Sequence, residues 1–399
     1  MSLASRFVRA VEFNLKDPAF GAELVELAEP ELPNEDWARV AVTVGGICGS
    51  DLHLFGHGEL RAPALAGFWT FPFLLGHEIA GRVVETGRGC DVPIGTRVAV
   101  DPVIACAVRG ISPVCRMCAW GIESCCLALG SGVLTPGMSV GFTTGLGGGW
   151  ADQVLAHRSM LHPIPDAVPD AIASLHEPVS VAVHGLLRKP PRDGDPVLVV
   201  GAGIIGIAAV AAVRALFPAC EVTVSARHDY QGDAARAAGA HHVVRVQDGY
   251  AHFEELATIA GASVTGRGRG QMLLGGFPYV IEAVGGLESV TESIRLVDNW
   301  GTVLFIGAGG AGDVDLSALW FKEAELVGAW NHAHGVHPTR GTHHSIDLAL
   351  EVLAAGGLPE STVTHAFALE DLREAVTTAI DKGNSHAIKV VFRPSSTSG

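Results

Sequence analysis

The chain has 399 residues, 48% of them hydrophobic and 17% charged, enough to bury a large core spread over about two to three domains. Lys and Arg total 27 against 42 Asp and Glu, and a net charge of −15 opposes phosphate backbones and anionic lipid, which disfavours nucleic-acid and membrane-surface binding. The opening MSLASRFVRAVEF lacks a continuous apolar core followed by a small-residue cleavage site, so no secretory signal is expected and a cytoplasmic location is.

Residues 1–187 are expected to form a largely β domain, with short strands, turn signals and many prolines. Within it the octet GICGSDLH, from Gly46 to His53, packs a thiol, a hydroxyl, a carboxylate and an imidazole between apolar strands. Farther on, GHEIAGRVVETG supplies His77 and Glu78 ahead of a glycine-punctuated strand, and His176-Glu177-Pro178 supplies another imidazole and carboxylate. Singly, each reads as ordinary structure: a buried small Cys, a hydrogen-bonded His, a helix-capping Glu. Together, Cys48, His77 and an acidic residue make a mixed S/N/O donor set for a metal that keeps one position open. Five of the eight cysteines fall between Cys106 and Cys126, and in a long intracellular chain such clusters more often bind metal than form disulfides.

The apolar run VLVVGAGIIGIAAVAAV, Val197 to Val213, is 17 residues long and closed by Pro196 and Arg214, short of the roughly 20 that a membrane span requires. Its glycines give a different reading. Val197 to Val200 predict a buried parallel strand; Gly201-x-Gly203-x-x-Gly206 follows at once, with Ile204 and Ile205 opening an Ala-rich helix that runs to about Phe217. That order suits a dinucleotide, whose pyrophosphate meets free N–H groups at the helix N-terminus. At the end of the next strand, Glu221 to Ser225, an NAD site places an acid for the ribose 2′-hydroxyl, but here the residues are Ser225, Ala226, Arg227 and His228. Without that carboxylate, and with Arg227 at hand, the expected preference is NADP(H) over NAD(H); the alternative is a solvated Arg in an NAD site.

A helix near Gln231 to Ala238 and strands at His242–Val246, Tyr279–Ala283, Thr302–Ile306 and Glu325–Ala329 continue the alternation of a doubly wound parallel sheet over 188–331. Gly266-Arg-Gly-Arg-Gly270, with Gly275 and Gly276, reads as a flexible insertion. Residues 332–399, with a helix at Ser345–Ala354 and strands at Val363–Ala368 and Ala387–Phe392, are expected to return to the first domain.

In this order, GICGSDLH, GHEIAGRVVETG, GTRVAVDP, the cysteine cluster, HEPVSVAVHG, VLVVGAGIIG, VIEAVGG and LWFKEAELVG resemble the zinc-dependent medium-chain dehydrogenase/reductase superfamily over almost the whole chain. The resemblance implies an α/β protein with a GroES-like, mostly β catalytic domain and a Rossmann NAD(P)-binding domain. It implies that Cys48 and His77 are catalytic zinc ligands and that Glu78 binds the metal or sits behind it. Glu177 stands where ethanol-type enzymes have Cys, as in the polyol, glucose and threonine dehydrogenase branches, and whether it binds directly or through water stays open. Asp51 would orient His77, because a ligating imidazole donates its other N–H to an acceptor. Ser50 and His53 match the family's proton relay, with zinc polarising the substrate oxygen and hydride exchanged with the nicotinamide.

The resemblance also implies a second, structural zinc held by Cys106, Cys115, Cys118 and Cys126 in a lobe at about 101–130, with Cys125 a substitute or a bystander. Here the loop after Cys106 holds eight residues, AVRGISPV, where two are usual. That stretch costs on the order of 1.2 kcal/mol in closure entropy, against roughly 10 kcal/mol or more from a structural zinc. Substrate would be a small-molecule alcohol or carbonyl, and Phe55, Trp69, Phe71, Trp120 and Trp150 line its pocket or pack. The histidines from Asn331 to His344 contact ligand near the cleft or form a solvated loop. Three readings compete: an NADP(H)-preferring dehydrogenase or reductase of a secondary alcohol, polyol or sugar-derived alcohol; an NAD(H)-using threonine- or amino-alcohol-type dehydrogenase; and a catalytically inactive cofactor-binding sensor. The family is often a homodimer or homotetramer.

Overall fold

The computed structural model describes residues 7–14, 16–17, 20–55 and 70–394, so Trp69 lies outside the described residues. The chain divides into two compact units, residues 1–177 with 363–399 and residues 178–362. The return therefore starts at 363, whereas the sequence reading starts it at 332. Helix Ser345–Ala354 belongs to the second unit, where its apolar face packs on helix Ile204–Leu216.

The first unit is built on a seven-stranded sheet. Its central strand, Trp37–Gly46, is buried at nearly every position because it has partners on both sides: Glu78–Thr86 and the pair formed by Gln153–His157 and Lys389–Phe392. A second sheet of three strands, Phe7–Phe13 between Ala22–Ala28 and Phe73–Leu74, completes it. The register that matters for function is at the end of the central strand, where Gly46 opposes Glu78 on one side and Val391 on the other. Strands from three remote parts of the chain thereby bring residues 46–48, 78 and 389 together.

In the second unit a six-stranded parallel sheet runs in the order His242–Arg245, Val222–Ala226, Val197–Val200, Phe277–Glu282, Val297–Phe305, Glu325–Gly328. All four residues of the inner strand VLVV are buried, as expected for a strand covered on both faces. The segment read as a flexible insertion is the turn of an antiparallel hairpin, Ser263–Thr265 with Met272–Leu274. Backbone pairing gives its glycines an ordered place that no side-chain pattern announces. No helix among the described residues is long and apolar enough to cross a membrane.

Candidate metal centre and dinucleotide site

Gly46 to His53 form the end of the central strand and a short helical turn, Gly49–Leu52. Cys48 caps that turn in extended backbone, and its N–H donates to Asp51 Oδ2 at 2.9 Å, which fixes where the thiol is presented. Asp51 is fully buried, and its other oxygen lies 3.3 Å from His77 Nδ1. One carboxylate thus sets both the Cys48 backbone and the His77 ring. On the far side of that ring Nε2 lies 3.5 Å from Ser50 Oγ. His53 closes the turn, half-buried, with its N–H bonded to the carbonyl of Gly49. Burial works against charge on His77, yet Asp51 and Cys48 hold its pKa well above the ordinary value.

The donor atoms of Cys48, His77 and Glu78 all lie within 4.8 Å of one another, His77 and Glu78 buried and Cys48 half-buried. Burial pushes the Glu78 carboxyl pKa up, Lys389 pulls it down and Glu177 pushes it up again. Glu177 is itself buried, beside this set rather than inside its tightest group. A cluster of one thiol, one imidazole and excess buried carboxylate has the donor types and the negative charge of a mixed-ligand zinc site. His176 does not contribute: its ring nitrogens lie 2.8 Å from the Ala173 carbonyl and 3.4 Å from that of Val100.

Two residues here escape sequence reasoning. Lys389, fully buried, donates to Glu78 Oε1 at 2.5 Å and to the Ile47 carbonyl at 2.9 Å, and also pairs with Glu78 Oε2. The only signal was a lone cation in the apolar strand IKVVF. Bare backbone at Gly46 makes room for the pair, since a Cβ there would lie 1.8 Å from Glu78 Oε2. The second residue is Phe142, whose ring centroid is 5.2 Å from that of His77. Of the aromatics singled out in the sequence, Trp150 and Phe55 are buried and stacked 6.2 Å apart in the core, while Phe71 and Trp120 are exposed.

A separate lobe gathers Cys106, Cys115, Cys118 and Cys126 with all four sulfurs within 4.8 Å of one another. The longer loop does not keep Cys106 away. Backbone N–H groups already point at the sulfurs: Cys115 N to Cys106 Sγ at 3.3 Å, Leu127 N to Cys115 Sγ and Ala128 N to Cys126 Sγ at 3.4 Å. Burial raises the Cys115 pKa, but the backbone N–H groups of Cys118 and Leu127 and the neighbouring thiols of Cys118 and Cys106 overcome this and bring it to about 6, whereas burial pushes Cys118 and Cys126 up. Cys125 is exposed and outside the group. Four convergent sulfurs with N–H···S support fit a closed tetrahedral zinc site.

In the second unit the glycine motif bridges strand Val197–Val200 and helix Ile204–Leu216. Gly201 takes φ +99°, and a Cβ on Gly206 would sit 1.9 Å from the Gly201 carbonyl oxygen. A Cβ on Gly203 would meet nothing within 4 Å, and Gly203 caps the helix without any side-chain bond. Two glycines therefore serve close packing, while the third leaves the N-terminus of the helix uncovered by any side chain of its own, as a pyrophosphate bound there requires. In the neighbouring strand Ser225 is buried between Val200 and Val244, and its hydroxyl has no partner among the described residues. Arg227 is the exposed residue there, followed by half-buried His228, whose ring stacks on Tyr230 at 5.5 Å.

Residues 34–166 match the alcohol dehydrogenase GroES-like domain, and residues 205–341 match the zinc-binding dehydrogenase domain. A sorbitol dehydrogenase of Bacillus subtilis is 26% identical over 90% of this chain and 91% of its own length. An L-threonine 3-dehydrogenase of Anaeromyxobacter is 28% identical over 86% and 88%. Among solved structures, a Sinorhizobium meliloti protein described as a zinc-binding dehydrogenase and bound to NADP is 25% identical, with a TM-score of 0.74 over 98% of this chain and 100% of its own. With both domain models in order along the chain, the protein belongs to the zinc-dependent medium-chain dehydrogenase/reductase superfamily and is an oxidoreductase acting on CH–OH donors.

Proposed function

We propose that this is a zinc-dependent dehydrogenase or reductase that exchanges hydride between NADP(H) and a secondary alcohol, polyol or sugar-derived alcohol. The observation that carries the reading is the convergence of Cys48, His77 and Glu78 donors within 4.8 Å, with Glu177 beside them. Zinc bound there supplies Lewis acidity at the substrate oxygen, and the dinucleotide supplies the hydride acceptor or donor. The chain's own residues do the rest. Asp51 orients His77; Ser50, 3.5 Å from His77 Nε2, exchanges the proton of the substrate hydroxyl; and His53 passes it onward. Gly201, Gly203, Ile204, Ile205 and Gly206 receive the pyrophosphate. The missing acid after strand Val222–Ala226 and the exposed Arg227 support NADP(H), with Ser225 and His228 beside it. The four cysteines of the lobe hold a second, structural zinc.

Initial rates for a panel of alcohols, polyols and sugar alcohols with NADP+ and NAD+, alongside the Cys48→Ala variant, test this. A polyol or secondary alcohol turned over with NADP+, and background rates for the variant, are expected. Threonine as the best substrate with NAD+ would instead favour the second reading, for which the threonine dehydrogenase relative speaks.

We further propose a cytoplasmic homodimer or homotetramer. None of the eight cysteines is in a disulfide, which suits a reducing compartment. Trp300 and Trp320, 76% and 82% exposed, flank the outermost strand Glu325–Gly328, where unpaired backbone and apolar surface favour a second copy. Light scattering tests the assembly, and a monomer contradicts it.

A further inference from the structure

The segment that lengthens the cysteine lobe carries a single charged residue, Arg109, and it is 0% exposed. Its backbone turns back on the lobe, with Arg109 N bonded to the Ala105 carbonyl at 3.1 Å and Ile111 N to that of Cys106 at 2.9 Å. The guanidinium donates from Nη1 to the carbonyls of Ser131 and Thr135 at 3.1 Å and of Leu134 at 3.4 Å, and from Nη2 to Gly137. Loop 131–137 is wrapped closely around it, since a Cβ on Gly132 would lie 2.4 Å from the Arg109 carbonyl oxygen. Nε is buried and has no partner among the described residues.

Carbonyls satisfy N–H groups but do not neutralise charge, and a guanidinium cannot shed its proton. Burying it without an anion is costly. Among the described residues no carboxylate forms an ion pair with Arg109, and the groups that act on it through space are the thiols of Cys126 and Cys106. Four thiolates outweigh the charge of one divalent cation, so a loaded lobe is a partly buried anion whose first ligand, Cys106, bonds through its carbonyl to the loop that carries this buried cation.

We propose that Arg109 is the counter-cation of the metal-loaded Cys106, Cys115, Cys118 and Cys126 cluster, which makes the inserted loop a working part of the site instead of a spacer. This rests on the reading that the lobe holds zinc. The positive charge lowers the electrostatic cost of gathering four thiolates, and the thiolates in turn make the burial of Arg109 tolerable. Arg109 is a positioning residue and touches no substrate.

The test is zinc release to a chromogenic chelator from the zinc-loaded full chain, the lobe phase being the one missing from the Cys115→Ser variant. Arg109→Gln removes the charge and leaves an amide that still donates to the carbonyls; Arg109→Lys keeps the charge, and both variants have fewer N–H donors than Arg. The Gln variant is expected to release lobe zinc on the order of 10- to 100-fold faster than wild type, and the Lys variant within about threefold of wild type. Equal rates for Gln and Lys, or a Gln variant as slow as wild type, overturn the proposal, as does a fall in Tm for the Gln variant that is as large in zinc-free as in zinc-loaded protein, since a pure loop clamp acts whether or not the lobe carries charge. If the Gln variant does not fold, Lys decides alone: release within about threefold of wild type supports the proposal, and faster release overturns it. A wild type with one zinc per chain refutes the lobe site itself, a failure distinct from that of Arg109.

Discussion

Replacing Lys389 by Met tests how the candidate metal centre is held together. The Lys389 and Glu78 side chains are 0% and 1% exposed, so neither charge can turn to water when its partner goes. The change also removes the bond to the Ile47 carbonyl next to Cys48. Deleting one partner of a buried ion pair costs about 3–5 kcal/mol, chiefly because the other charge is stranded. In a unit of this size that corresponds to a fall in Tm of roughly 10 °C. Adding Glu78→Gln removes the stranded charge, and the double variant is expected to recover about 2 kcal/mol or more relative to additivity. Thermal unfolding followed by circular dichroism, on the wild type, both single variants and the double variant, supplies the cycle. If Lys389→Met unfolds within about 1 kcal/mol of wild type, or if Glu78→Gln gives no rescue, the pair does not carry the site as argued here.

The glycine motif gives a contrast between two Ala substitutions. Gly203→Ala adds a Cβ to open space and is expected to leave Tm nearly unchanged while weakening dinucleotide binding, whereas Gly206→Ala, 1.9 Å from the Gly201 carbonyl oxygen, is expected to destabilise the fold itself. Scanning calorimetry and cofactor fluorescence titration separate the two. For cofactor choice, Arg227→Ala is expected to lower kcat/KM for NADP(H) by about 10- to 100-fold, the worth of a charge-assisted bond to phosphate, with little change for NAD(H). Equal losses with both cofactors would remove Arg227 from the 2′-phosphate site. In metal-free protein, Cys115, with its pKa near 6, is expected to be alkylated first in the lobe. The thiolate is the reactive form, so its rate should rise with pH to half its maximum near pH 6 and level off above pH 7, while Cys118, pushed upward by burial, lags throughout. Peptide mapping after iodoacetamide at several pH values checks the order.

What the sequence made legible was what it writes contiguously or in fixed spacing. GAGIIG lies between a run of valines and a run of alanines, and Cys115, Cys118 and Cys126 announce one lobe. The donor types of Cys48, His77 and an acidic residue suggest one metal set, the family resemblance points to Glu78 and to their roles, and the sheet register shows why they converge. Lys389 was not legible, because 311 residues separate it from Glu78 and only the pairing of the last strand with Gly45 and Gly46 unites them. Arg109 was hidden for a related reason: its partners are backbone carbonyls, which no sequence pattern marks. The sequence pattern ends the strand at Ser225, but the strand runs through Ala226 and is buried on both faces, so the exposed position falls at Arg227. Helix Ser345–Ala354 is legible as a helix, but its place in the second unit is not, since an amphipathic pattern states that a face is buried and not against what.

The central claim is that one divalent cation is gripped by a thiolate, an imidazole and carboxylate oxygen at the end of strand Trp37–Gly46. Anomalous scattering across the zinc edge, from crystals of freshly purified protein never exposed to chelator, tests it most directly. The account predicts a strong peak within bonding distance of both Cys48 Sγ and His77 Nε2, and a map without density there contradicts it.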